Sequence, residues 1–126
     1  MSDDEIISLL KEIQRAIDSK NLTLTLEYYH PDVIYIGPAF SAPVHGKDAL
    51  GTAFGKHFSG PQRTAVQFKE VRIHHTSDKS FVVYCLIEGN QTLHLSSRRF
   101  KGWLSRVFVD TEVGPRIVHE HFSLAQ

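Results

Sequence analysis

Two histidines one residue apart, His119 and His121, lie in the stretch GPRIVHEHFSL, an otherwise apolar, β-favouring run near the end of the chain. In an extended strand alternate side chains share a face, so both imidazoles point the same way. Imidazole titrates near neutral pH, which suits it to carry protons in a pocket or to ligate a metal. Zinc or iron sites need at least a third protein ligand, and a single H-x-H without a clustered partner predicts none. If these strands border a pocket, His121 is the expected proton carrier and His119 a substrate-binding neighbour. The alternative for both is a structural place in the sheet or at a subunit interface.

Arg106 stands in an alternating stretch with Leu104 and Phe108 on its side and Trp103, Ser105 and Val107 on the other. Its paired guanidinium donors suit a carboxylate, so a cavity-facing Arg106 would orient an anion; the competing role is an ion pair with Glu88 or Glu120 across strands. A one-residue bulge would exchange Arg106 for Ser105 at the cavity, which keeps Ser105 and Trp103 among the expected substrate contacts. Aromatic rings with polar ends, Tyr28, Tyr29, Tyr35, Tyr84 and Trp103, suit an apolar small-molecule cavity or a packed core. Tyr35 and Tyr84 are placed nearest the chemistry as hydrogen-bond donors, and Phe54 as an apolar substrate contact. The basic run SSRRFKG, with Arg98, Arg99 and Lys101, reads as a solvated strand or turn. Nucleophile elbows, phosphate-binding glycine loops and paired Cys-x-x-Cys sites are all missing from the sequence. Those enzyme classes are set aside.

The elements that must position these residues follow from periodicity. Ser2 and Glu5 have capping-box spacing, and Ile6, Leu9, Leu10, Ile13 and Ile17 form an amphipathic stripe, which predicts a helix to about Ser19. Leu22, Leu24 and Leu26 alternate with threonines like a strand, although Asn21 could cap a short helix before Pro31. VIYIGP predicts a short strand, and KDALGTAFGKHF a helix with Leu50, Phe54 and Phe58 on one stripe. From Thr64 onward the chain is β in character, with turns expected at Ser77-Asp78, Gly89-Asn90 and Gly114-Pro115. Helices first and strands afterwards predict an α+β fold with helices on one face of a curved sheet.

The chain of 126 residues is long enough for one domain with its own core, expected over 1–126. Lysine plus arginine and aspartate plus glutamate both total 14, so no global field favours nucleic acid or anionic lipid. Neither partner is expected. The lone Cys85 cannot form an internal disulfide and reads as a buried thiol. An acidic start without a basic leader or long apolar run predicts a cytoplasmic protein.

The order of elements and the ending G-P-R-I-V-H-E-H-F-S resemble the nuclear-transport-factor-2-like superfamily, in particular its SnoaL-like members and the hub domain of calcium/calmodulin-dependent protein kinase II. Gly114, Ile117, Val118, His119, His121 and Ser123 match the family ending, with Pro115 where tryptophan is usual. VHGKDAL resembles the segment leading into the third helix, and LSRVF the hub strand that places Arg106 on its arginine. The resemblance implies a cystatin-like cone, with three N-terminal helices packed on a strongly curved, mostly antiparallel sheet. It makes Leu22–Tyr29 helical and implies a homodimer with a pocket for a small hydrophobic or weakly anionic molecule, bordered by the strands that carry His119 and His121. Any chemistry that the resemblance implies is a cofactor-independent isomerisation, cyclisation or dehydration. It also implies a limit: the aspartate base of ketosteroid-isomerase-like members falls on Gly37, their tyrosine near Ile13 and their acid near Ser105. Their mechanism should then be absent. The hub's further arginines are not all matched, since Phe122 stands at one such site, and a non-enzymatic assembly module is the competing function.

Overall fold

The computed structural model describes residues 1–125. Helix α1, Asp3–Asp18, begins where the sequence caps it. The Glu5 amide donates to Ser2 Oγ and the Ser2 amide donates to Glu5 Oε1. Its apolar stripe buries Ile6, Leu9, Leu10, Ile13 and Ala16, each large side chain contributing roughly 1.5–3 kcal/mol by leaving water. Helix α2, Leu22–Glu27, forms where simple alternation favours a strand. The Leu24 amide donates to Asn21 Oδ1 at 3.0 Å, and packing buries Thr25 completely. A cap and one buried face outweigh a period-2 pattern over so short a stretch. The helix stops before Tyr29, which already belongs to the first strand.

Strand β1 covers Tyr29–Ile36 and β2 Val44–His45, and helix α3 spans Lys47–Phe58. Four long strands follow: β3 (Arg63–Ser77), β4 (Ser80–Leu93), β5 (Ser96–Thr111) and β6 (Gly114–Leu124). They form one six-stranded open sheet in the order β2-β1-β6-β5-β4-β3. Among the described residues, only β1 and β6 pair in parallel. The result is the expected α+β cone, three helices over the inner face of a curved sheet.

The turn expected at Gly89-Asn90 does not form, because β4 continues to Leu93. A Cβ on Gly89 would lie 2.6 Å from the Phe100 ring and 2.8 Å from the Ala65 carbonyl; one on Gly102 would lie 2.5 Å from the Ser123 carbonyl and 2.6 Å from the Phe122 ring. Glycine serves here to let long strands bend while an aromatic ring covers the missing side chain. Phe100 and Phe122 then meet edge to face, with centroids 6.4 Å apart.

The main core lies between the helices and the inner face: Ile6, Leu10 and Ile13 pack with Val33, Leu50 and Phe108. A second apolar cluster, Cys85, Ile87 and Leu104, sits further along the same face, with Phe68, Phe100 and Phe122 only half-buried around it. A bulge at Lys69–Arg72, with Glu70 at φ 52°, bends the edge strand β3 between the two.

Candidate functional site

Alternation along β5 and β6 assigns each expected site residue to a face. Arg106 and Glu120 are direct cross-strand partners, and Tyr35 on β1 pairs with Glu120 from the other side. All three turn inward. Arg106 Nε donates to Glu120 Oε1 at 2.8 Å, and the Tyr29 hydroxyl donates to the same oxygen at 2.8 Å. Arg106 is 2% exposed, Glu120 4% and Tyr29 1%, so the ion pair is sealed from bulk water. Phe54 closes the group, edge-on to Tyr29 and to Tyr35 with centroids 5.8 Å and 5.2 Å away.

One polar atom of this cluster is left over. Arg106 Nη1 is buried without a hydrogen-bond partner, a condition it shares with Thr25 Oγ1. A buried donor without an acceptor costs roughly 1–3 kcal/mol, more on a charged group, so a native site that keeps one calls for an explanation.

Electrostatics fix the protonation states of its neighbours. Burial, and then the Glu120 carboxylate, hold the Tyr29 hydroxyl well above the ordinary phenol value, and the same two causes raise Tyr35. Both phenols therefore act as donors at neutral pH. Burial works against the charge of Arg106, but Glu120 and then Tyr29 more than offset it, and the guanidinium stays charged. Burial pushes the Cys85 thiol up to about 11. The native thiol thus keeps its proton to higher pH than the unfolded one, so its contribution to stability is complete below about pH 9 and is lost as pH rises towards 11. Urea unfolding followed from pH 8 to 10.5 should show this alkaline loss, and Cys85→Ala should reduce it. Equal losses in both proteins would reject the assignment.

The residues expected around one pocket divide between two faces, which corrects the single constellation. Arg106, Tyr35 and Phe54 meet inside. His119, His121, Tyr84, Ser105 and Trp103 carry the opposite parity and lie on the outer face, where Ser105 pairs with both Tyr84 and His121, and Trp103 with Ser123. The bulge that could have reversed this sits at Val118, between the pairs Phe108–Ile117 and Val107–His119, and leaves Arg106 inward. Tyr84 and Trp103 are each 46% exposed. The pair between Arg106 and Glu120 is the structural alternative that the sequence offered for Arg106; what the sequence did not single out is Tyr29 as the second donor to Glu120.

Several grooves open elsewhere, two of them against the long strands. One of about 720 Å³ is lined by Ala65, Gln67, Glu88, Asn90, Arg99 and Lys101 among others, so part of the basic run borders it. Glu88, one of its lining residues, pairs with Lys69 at 2.9 Å. The second, of about 460 Å³, runs between α1 and β3 past Lys11, Arg15 and Phe68. Arg106, Glu120 and Tyr29 line neither. Among the described residues, no three His, Cys, Asp or Glu side chains come together to hold a metal, and no helix is long and apolar enough to cross a membrane.

Residues 6–126 match the family model described as the SnoaL-like domain. No curated protein matches the chain. Among solved structures, the beta subunit of benzoate 1,2-dioxygenase from Burkholderia mallei superposes with a TM-score of 0.86 at 15% identity, covering 99% of this chain and 91% of that one. A hub homology domain of calcium/calmodulin-dependent protein kinase II from Chlamydomonas reinhardtii gives 0.83 at 20% identity, with both chains covered fully. A ketosteroid isomerase-like protein from Erwinia carotovora gives 0.75 at 18% identity over 90% of this chain and 88% of that one. At these identities the likeness establishes the fold alone.

Proposed function

We propose that this chain, which belongs to the SnoaL-like domain family, binds a small, largely apolar molecule whose acceptor oxygen reaches Arg106. The observation that carries this reading is the buried, unpartnered Arg106 Nη1. Glu120 already balances the charge of the guanidinium, so the remaining N–H suits a neutral carbonyl or a weakly anionic oxygen better than a second full carboxylate. The half-buried rings of Phe68, Phe100 and Phe122 around Leu104 and Cys85 would take the apolar body. Entry requires a side-chain rearrangement, since Nη1 is closed from solvent.

Binding is favoured over proton transfer. Both interior phenols hold their protons, Glu120 Oε1 already accepts two hydrogen bonds, and His121 and Tyr84 lie on the outer face. The experiment is a thermal-shift and calorimetric comparison of the protein and its Arg106→Met/Glu120→Gln double variant against cyclic ketones and aromatic carboxylates. Stabilisation of the wild type by at least one of these, weakened about tenfold or more in the double variant, is the expected result. Equal responses in the two proteins, or none in the wild type, would remove Arg106 as the ligand group.

A specific observation also supports self-association. Tyr84 and Trp103, half-exposed on central strands, stand with Val82, Val107, Ile34 and Ile36 on the outer face, away from the sheet edges. Exposed aromatic side chains on such a face mark interaction surfaces, and a self-complementary face pairs most simply as a twofold dimer. The homodimer is part of the same proposal, and the assembly-module reading differs from it only in leaving Arg106 without a ligand.

A further inference from the structure

The ligand site leaves the outward histidines unused, and the register shows how they are arranged. One row across the sheet runs His74, Val82, Val107, His119, Ile34, His45; the next runs Arg72, Tyr84, Ser105, His121, Ile36. Four imidazoles thus share one face, where Val82, Val107, Ile34, Ile36 and Tyr84 surround them beside Ser105 and Arg72. His119 is half-buried, and His45, His74 and His121 are exposed.

We propose that this face pairs with a second copy only while its imidazoles are neutral, so that protonation of His119 and His121 dissociates the dimer; the inference rests on the dimer reading given above. The flanking side chains give an imidazolium no counter-charge. On β5 the neighbours of His119 and His121 are Val107 and Ser105, and on β1 they are Ile34 and Ile36. Beyond Ile34 stands His45 of β2, itself a histidine. The helices cover the opposite face.

Charged groups on this face lie further along the strands and are mostly basic. Arg116 precedes the histidines on β6, Lys101 lies beyond Trp103 on β5, and Lys69, Arg72 and His74 occupy β3. Against them stand Glu88 on β4, already bridged to Lys69 at 2.9 Å, Asp32 on β1, and Glu70 at the bulge; Tyr84 is neutral. A twofold interface doubles every charge it encloses. An imidazolium enclosed between two apolar faces loses its hydration without gaining a partner, whereas in the free protomer it stays in water.

The sign follows from linkage. The protomer binds protons that the dimer excludes, so association weakens as pH falls. With one proton taken up per copy, the dissociation constant rises by roughly tenfold or more between pH 7.5 and 5.5.

Sedimentation equilibrium of the full chain at pH 7.5, 6.5 and 5.5, with circular dichroism of the same samples, tests this. The expected result is a dimer at pH 7.5, a folded monomer gaining population at lower pH, and a flattened profile in His119→Gln/His121→Gln. A dimer whose dissociation constant stays constant to pH 5.5 overturns the inference and leaves the dimer standing. The inference fails in the same way if the double variant keeps the full slope, or if the chain unfolds instead of dissociating. A monomer at pH 7.5 and high concentration removes the dimer reading itself, and the inference with it.

Discussion

Arg106→Met should cost the fold about 3–5 kcal/mol, because it strands the buried Glu120 carboxylate without its charge partner. The guanidinium supplies one of the two donors on Glu120 Oε1 and all of the nearby positive charge. Tyr29 would remain as a single neutral donor. Adding Glu120→Gln should restore most of the loss, since the carboxamide carries no charge and still accepts from Tyr29. Urea denaturation of the wild type, the single variant and the double variant measures both effects. If the two variants lose equally, the deficit comes from packing of the arginine stem and not from an unpaired charge.

This ion pair also shows which parts of the site the sequence disclosed. Alternation put Arg106 with Leu104 and Phe108, and the structure keeps those three together on the inner face. The same rule applied to His119 and His121 gave them a common side, as the register has it, but did not say which side. That depends on where the β-bulge falls in β6, and a bulge at Val118 has no distinctive residue to announce it. Charge gave the better clue. Two opposite charges at facing positions of paired strands can be buried together, whereas two histidines with no clustered partner have no comparable reason to turn inward.

Helix α1 was legible because a capping box and a 3.6-residue stripe agree, and α3 from its Leu50, Phe54 and Phe58 stripe alone, since Gly46 supplies no side-chain cap. Helix α2 was legible through the family resemblance and not through periodicity, because alternating leucine and threonine satisfy a strand pattern while the Asn21 cap and the burial of Thr25 decide the outcome, and it ends at Glu27, short of the expected Tyr29. Gly89 misled for a related reason: beside Asn90 it reads as a turn, but its missing side chain is filled by Phe100 from the neighbouring strand, a contact invisible to local sequence.

Tyr84→Glu with Trp103→Glu should do the opposite of Arg106→Met, abolishing self-association while leaving the protomer folded. Both side chains are half-exposed in the protomer, and substitutions at such positions usually change stability by only about 0.5 kcal/mol. In a dimer the same two rings would lie at the centre of the buried face, where aromatic anchors each contribute about 2 kcal/mol or more to association. Losing both, and enclosing four carboxylates in their place, should raise the dissociation constant by at least roughly a hundredfold. Sedimentation velocity beside urea unfolding separates the two quantities. A monomer of unchanged stability would place the partner surface on the outer face and leave the inner face to its ligand. A variant that stays dimeric would move the interface to the free edge of β3 or to the helices, and would leave Tyr84 and Trp103 as exposed rings that no second copy covers.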